Sequence, residues 1–115
     1  MIKKLSLCIF LLAALSLILA ACGTPTLKVT LVAEDIHWNL TTIHAKVNQT
    51  IEITLRNEGA LDHNLVIEEF GVNELVAPGA QTVVTLTIDK AGTYQYICSI
   101  PGHEEAGMVG QIIVQ

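Results

Sequence analysis

"TIEITLRN", residues 50–57, decides how this chain folds. Its apolar residues fall on every second position, so Ile51, Ile53 and Leu55 share one face of an extended chain, while Thr50, Glu52, Thr54 and Arg56 share the other. That period belongs to a half-buried β-strand. "LKVTLVAE" (27–34) repeats it with Leu27, Val29 and Leu31, and "HNLVI" (63–67), "QTVVTLTI" (81–88), "GTYQYIC" (92–98) and "MVGQIIV" (108–114) continue the series. Turn chemistry separates them in "VNQT" (47–50), "NEGALD" (57–62), "APGA" (77–80) and "DKAG" (89–92). Asn48 suits a left-handed backbone, and Pro78 followed by Gly79 suits a type II turn. No helical period of useful length and no internal repeat interrupts the pattern. Short strands at this spacing predict an all-β sandwich or barrel.

Against that scaffold, "CSIPGHEEAGM" (98–108) places Cys98, His103 and Met108 at intervals of five. The period of two puts Cys98 on one face with Tyr94 and Tyr96, and His63 on one face with Leu65 and Ile67. Both side chains are therefore expected inside. Pro101 and Gly102 stiffen and bend the loop after Cys98, and Gly107 eases its return, which brings His103 and Met108 back toward the thiol. Thiolate and thioether are soft ligands that favour copper, and a trigonal Cys with two His and a weak axial Met is the blue-copper arrangement. A stiff scaffold that holds one geometry for both oxidation states points to electron transfer and not to catalysis.

The start of the chain has a different character. "MIKK" followed by "LSLCIFLLAALSLILA" is a charged segment and then an apolar one, too short and wrongly flanked for a membrane span, and it reads as a secretory signal. The next residues, "LAAC" (19–22), resemble the lipobox of bacterial lipoproteins, in which cleavage leaves the Cys as a lipid-modified N-terminus. Residues 1–21 are thus expected to be a lipoprotein signal peptide, 22–26 a lipidated N-terminus and short tether with the lipid on Cys22, and 27–115 the folded domain. The expected location is the extracytoplasmic side of a cell membrane, held there by lipid. Cys8 leaves with the signal and Cys22 carries lipid, so Cys98 is left as a single thiol that can form no intramolecular disulfide. Cleavage also removes Lys3 and Lys4 and none of the eleven acidic residues, making the domain more acidic than the formal charge of −5 for the whole chain. Nothing in it forms a basic footprint for nucleic acid.

Residues 36–115 resemble the cupredoxins, the small blue copper proteins of the plastocyanin, auracyanin and azurin type. The likeness runs from "IHWNLTTIHAKVNQTIEITLRNEG" through "DHNLVI" to "AGTYQYICSIPGHEEAGMVGQIIV". It implies a Greek-key β-sandwich, with one copper ion held at one end by His63, Cys98, His103 and Met108. It also implies that Asn64, next to the first ligand, pins the ligand loop by hydrogen bonding. The implied partners are redox proteins, such as a basic c-type cytochrome or a membrane oxidoreductase. Four residues between Cys98 and His103 match azurin or auracyanin better than plastocyanin, where the stretch is shorter. The chain departs from the pattern in two places. Asn48 stands where the family commonly has Gly, and Glu104 with Glu105 directly follow the loop His, which bears on the identity of the partner.

Other readings of these residues carry less. A cysteine hydrolase would pair Cys98 with His103 or His63, yet no separate orienting Asp or oxyanion device is evident and the thiol is expected inside. A zinc site of Cys98, His63 and His103 would leave Met108 unexplained. The binuclear copper centre of terminal oxidases needs a second Cys in this loop, and Ser99 to Gly102 offer none. A copper chaperone or reservoir with the same four ligands is the second functional reading. His37 and His44 are expected to be exposed, and Trp38 to serve packing. Asn39 and Asn48 open "NLT" and "NQT" sequons that a bacterial lipoprotein does not use.

Overall fold

In the computed structural model, which describes residues 23–115, the alternation in residues 50–57 is seen directly as burial. Ile51, Ile53 and Leu55 are no more than 1% exposed, and they alternate with Thr50, Glu52, Thr54 and Arg56 on the more exposed face of the strand. Nine strands form: β1 (Leu27–Glu34), β2 (His37–Trp38), β3 (Thr42–Ala45), β4 (Thr50–Asn57), β5 (His63–Ile67), β6 (Val72–Val76), β7 (Gln81–Thr87), β8 (Gly92–Ile97) and β9 (Val109–Val114). They make a four-stranded sheet ordered β2-β1-β4-β7 and a five-stranded sheet ordered β3-β9-β8-β5-β6. The chain passes from one sheet to the other and back, as in a Greek-key sandwich. Residues 1–21 and Cys22, on which the signal and lipid expectations fall, lie outside the described residues.

The core fills the space between the sheets. Leu31 and Leu55 from one side meet Leu65, Ile67 and Ile112 from the other, all fully buried. Each such side chain contributes ~1.5–3 kcal/mol through apolar area removed from water. Tyr96 is 1% exposed, meets Trp38 edge-on with ring centroids 6.0 Å apart, and donates its hydroxyl to the Leu40 carbonyl at 2.6 Å. Burial pushes its phenol up to about 12, so it remains a donor.

Three short strands escape the alternation. β2 has two residues, β3 has one inward pair in "TIHA", and β6 lies on a sheet edge with its middle residues exposed, so none has a long enough run of burial to imprint a period. Two pairings also run parallel, β1 with β4 and β3 with β9, because crossovers between the sheets separate these partners in sequence. The turn chemistry behaves as expected: Asn48 sits at φ 61°, which tolerates Asn in place of Gly, and Gly79 sits at φ 77° after Pro78. His37 and His44 are exposed, and Trp38 is 3% exposed in the core.

Gly110 faces Tyr96 across the β8–β9 ladder, and a Cβ there would lie 2.2 Å from the Tyr96 ring. Trp38 on one side and the Leu40 hydrogen bond on the other leave the ring nowhere to retreat. Gly110→Ala is therefore expected to destabilise the domain by ~1–3 kcal/mol, the usual cost of overpacking. Urea unfolding monitored by Trp38 fluorescence measures this, and an unchanged midpoint would contradict the packing described.

Candidate metal centre

β5 begins with His63, which enters the core with Leu65 and Ile67 as the alternation requires. The loop that delivers it, residues 58–62, is held by Asn57 at the end of β4. That buried amide donates to the Leu61 carbonyl at 2.7 Å and the Val76 carbonyl at 2.9 Å, and accepts from the Gly59 N–H at 2.9 Å. On the other side of the site β8 ends at Ile97, one residue before Cys98, and the last sheet pair it makes with β5 is Val66–Ile97.

From Cys98 to Met108 the backbone closes on itself. Cys98 N–H donates to the Met108 carbonyl at 3.1 Å, Met108 N–H to the His103 carbonyl at 3.0 Å, and His103 N–H to the Ile100 carbonyl at 2.9 Å. Gly102 and Gly107 take the left-handed backbone that these reversals need, at φ 87° and 100°. Three side chains are thereby fixed to one another by main-chain bonds.

Asn64 joins the two halves. Its Oδ1 accepts the Ser99 N–H at 2.8 Å, and its Nδ2 donates to Ser99 Oγ at 2.8 Å and to Asn73 Oδ1 at 3.0 Å. The pinning role implied for Asn64 is thus matched by contacts from β5 to the residue next to Cys98.

The side chains converge. Cys98 Sγ lies 3.4 Å from His103 Nδ1 and 3.8 Å from His63 Nδ1, and one ligating atom from each of the three residues falls within 4.8 Å of the others. Cys98, His63 and Met108 are 0% exposed and His103 is 7% exposed. Metal–sulfur and metal–nitrogen bonds of ~2.3 and ~2.0 Å at trigonal angles would set sulfur and nitrogen ~3.8 Å apart, so these separations suit a shared ion. Among the described residues Cys98 is the only cysteine and is unpaired. Met108 belongs to the same buried cluster as Cys98.

The surroundings of His63 bear on its protonation. Burial holds His63 below the usual histidine range, and the nearby His103 pushes the same way, against the opposing pull of Asp35 and Asp62. A neutral imidazole is the ligating form. Asp35 had no place in the sequence reading, yet its Oδ1 lies 3.7 Å from His63 Nε2. In the sequence Ser99 stands out only as a position without a second Cys. Neither role has a local signal, because Asp35 reaches the site from the turn after β1, and Ser99 acts through a strand distant in sequence.

A buried sulfur and imidazole set at one end of a two-sheet sandwich defines a small copper protein with one mononuclear type 1 site. Comparison with known proteins agrees. The family pattern described as a Cupredoxin-like domain matches residues 5–114, and the chain belongs to the cupredoxins. The copper-resistant cuproprotein CopI of Rubrivivax gelatinosus is 27% identical over 116 residues, covering 84% of this chain and 70% of that protein. Chloroplastic plastocyanin of Chlamydomonas reinhardtii is 36% identical over 115 residues, covering 90% and 75%. The solved structure of dithionite-reduced auracyanin from Roseiflexus castenholzii matches with a TM-score of 0.69 at 20% identity, covering 80% of this chain and 99% of that one, a likeness of fold.

A pH dependence follows for the metal-free domain. Because the folded state lowers the His63 pKa beneath its ordinary value of 6.5, the unfolded chain takes up a proton first as pH falls. The native state is therefore fully favoured above about pH 6.5 and loses stability as acid carries the solution toward the folded value. Urea midpoints at about pH 7.5 and about pH 5 should show the loss, and it should shrink in His63→Gln. A flat profile would contradict the burial of a neutral His63.

Proposed function

We propose that the protein is a blue-copper electron carrier, not an enzyme, working on the extracytoplasmic side of a membrane. The observation that supports this most directly is the backbone closure of Cys98, His103 and Met108 into one loop clamped to His63 through Asn64 and Ser99. Copper bound there would supply a one-electron couple. The residues of the chain do the rest. His63, Cys98 and His103 would hold the ion and Met108 would add a weaker thioether contact, in a frame that cannot relax freely between oxidation states.

The route for electrons is read from exposure. His103 alone among these four residues has measurable exposure, and exposed Pro101, Gly102, Ala106 and Gly107 surround it with small apolar surface. Glu104 and Glu105 are exposed beside it and add a negative rim. Such a rim favours a basic partner, for instance a c-type cytochrome, by long-range steering.

The tether fits this arrangement. β1 starts beside Ile51 at the start of β4 and runs parallel to it, so Leu27 and the exposed residues 23–26 lie at the pole opposite His63. A strand of eight residues spans ~26 Å at ~3.3 Å per residue. With lipid on Cys22, the proposed anchor would hold the far pole to the membrane and turn the copper pole toward the aqueous phase.

A second reading, a copper chaperone or reservoir, is favoured by the likeness to the copper-resistant cuproprotein CopI. Reversible voltammetry of the copper-loaded protein, set beside copper transfer to a competing chelator, separates the two. Fast, reversible cycling with retention of copper supports the carrier; ready release with sluggish cycling supports the reservoir.

Two variants test the carrier directly. Cys98→Ser nearly conserves volume while removing the thiolate, so the intense visible band and electron transfer should vanish with the β fold intact by circular dichroism. A retained intense band would defeat the assignment. Glu104→Lys combined with Glu105→Lys should slow electron exchange with a basic redox protein and invert its salt dependence, while barely altering the copper spectrum. Stopped-flow rates at low and high salt measure the effect, since surface charges are screened over ~8 Å at physiological ionic strength. Unchanged rates would place docking elsewhere.

A further inference from the structure

Asp35 sits in the tight turn between β1 and β2, just before Ile36, whose φ of 67° reverses the chain. Its side chain leaves the surface of its own hairpin and reaches the loop that leads into β5. There Oδ1 accepts the Ala60 N–H at 2.9 Å and the Leu61 N–H at 3.3 Å. The approach is close enough that a Cβ on Gly59 would fall 2.2 Å from the same oxygen, so the loop needs glycine at that position. Those two amide bonds also hold the carboxyl below its usual value of 3.8, the Ala60 bond first among the causes, so it is an anion at neutral pH. The same oxygen lies 3.7 Å from Nε2 of His63.

That nitrogen is fully buried and has no hydrogen-bond partner among the described residues. The opposite nitrogen of the ring, Nδ1, faces Cys98 Sγ. An imidazole that ligates through Nδ1 carries its proton on Nε2, and a buried N–H without an acceptor is destabilising. A shift of ~0.5–1 Å would bring Asp35 within hydrogen-bond distance of that proton. Asp62 also stands near the ring, whereas Arg56 of β4 and Glu58 of the loop are paired with each other at 2.8 Å.

We propose that Asp35 is a positioning residue for the copper site: its carboxylate accepts a hydrogen bond from the Nε2–H of His63, presents Nδ1 to the metal, and places a negative charge one imidazole away that favours the oxidised ion. A carboxylate behind a ligating histidine fixes the ring's tautomer and orientation and raises its basicity. The amides of Ala60 and Leu61 hold the carboxylate itself, and Gly59 leaves it room. The proposal rests on reading the site as a redox copper centre.

Asp35→Asn tests it, because the amide oxygen can still accept from Ala60 and Leu61 while the charge is lost. The reduction potential should rise by about 59 mV, the equivalent of a tenfold shift in a one-electron equilibrium. Affinity for the oxidised ion, measured by chelator competition, should fall about tenfold, with affinity for the reduced ion nearly unchanged. A variant that folds as wild type and keeps both potential and affinity would overturn the proposal. A second measurement uses the wild-type protein without metal at about pH 9, where imidazoles are neutral. NMR of the His63 ring should find a downfield-shifted, slowly exchanging Nε2 proton, and a proton on Nδ1 or an unshifted Nε2 proton would overturn the assignment whatever the variant does. If wild type took up copper without an intense visible band, the redox reading would fail instead, and the ring proton would still decide the role of Asp35.

Discussion

Two hydrogen bonds between Asn64 and Ser99 join the only two pieces of chain from which the copper site is built. One piece is β5, which supplies His63; the other is the loop after β8, which supplies Cys98, His103 and Met108. The sheet itself does little to align them, since the β5–β8 ladder records a single pair, Val66 with Ile97. Beyond that pair the clamp of Asn64 on Ser99 takes over the work of the ladder. A buried amide with both ends satisfied can do this at little cost, whereas an apolar residue there would leave the Ser99 N–H without its acceptor.

The other buried polar groups belong to the same pole. Asn57, His63, Asn64 and His103 are the buried polar residues among those described, and all four lie in or beside the metal centre. The remaining core is aliphatic with Tyr96 and Trp38. Such segregation lets one end of the sandwich carry a polar, pre-shaped site while the other end supplies stability through packing. Asn57 accepts the Gly59 N–H and the exposed Asp35 accepts those of Ala60 and Leu61, and together they fix the entry of the chain into His63.

Membership of the cupredoxins and the single copper site follow from this architecture together with the family match. The electron-carrying role is the reading best supported by a rigid ligand loop whose His103 edge meets solvent. Glu104 and Glu105 are exposed beside His103, and in the proposed carrier they would bear on which partner docks.

The sequence by itself determined the sheet faces and the ligand set. Ile51, Ile53 and Leu55 declared the core side of β4 because burial on one face of a strand has a period of two, and Cys98 and His63 inherited their inward direction from the same rule. The spacing of Cys98, His103 and Met108 named the metal because sulfur and imidazole donors are chemically selective. Strands β2, β3 and β6 were beyond that rule, being too short or too exposed to leave a period. The parallel pairing of β1 with β4, the clamp on Ser99 and the approach of Asp35 to His63 were decided by the tertiary structure alone. Each brings together residues that are distant along the chain, and their types, an Asp in a turn or a Ser after a strand, are ordinary until the fold places them a few ångströms from a ligand.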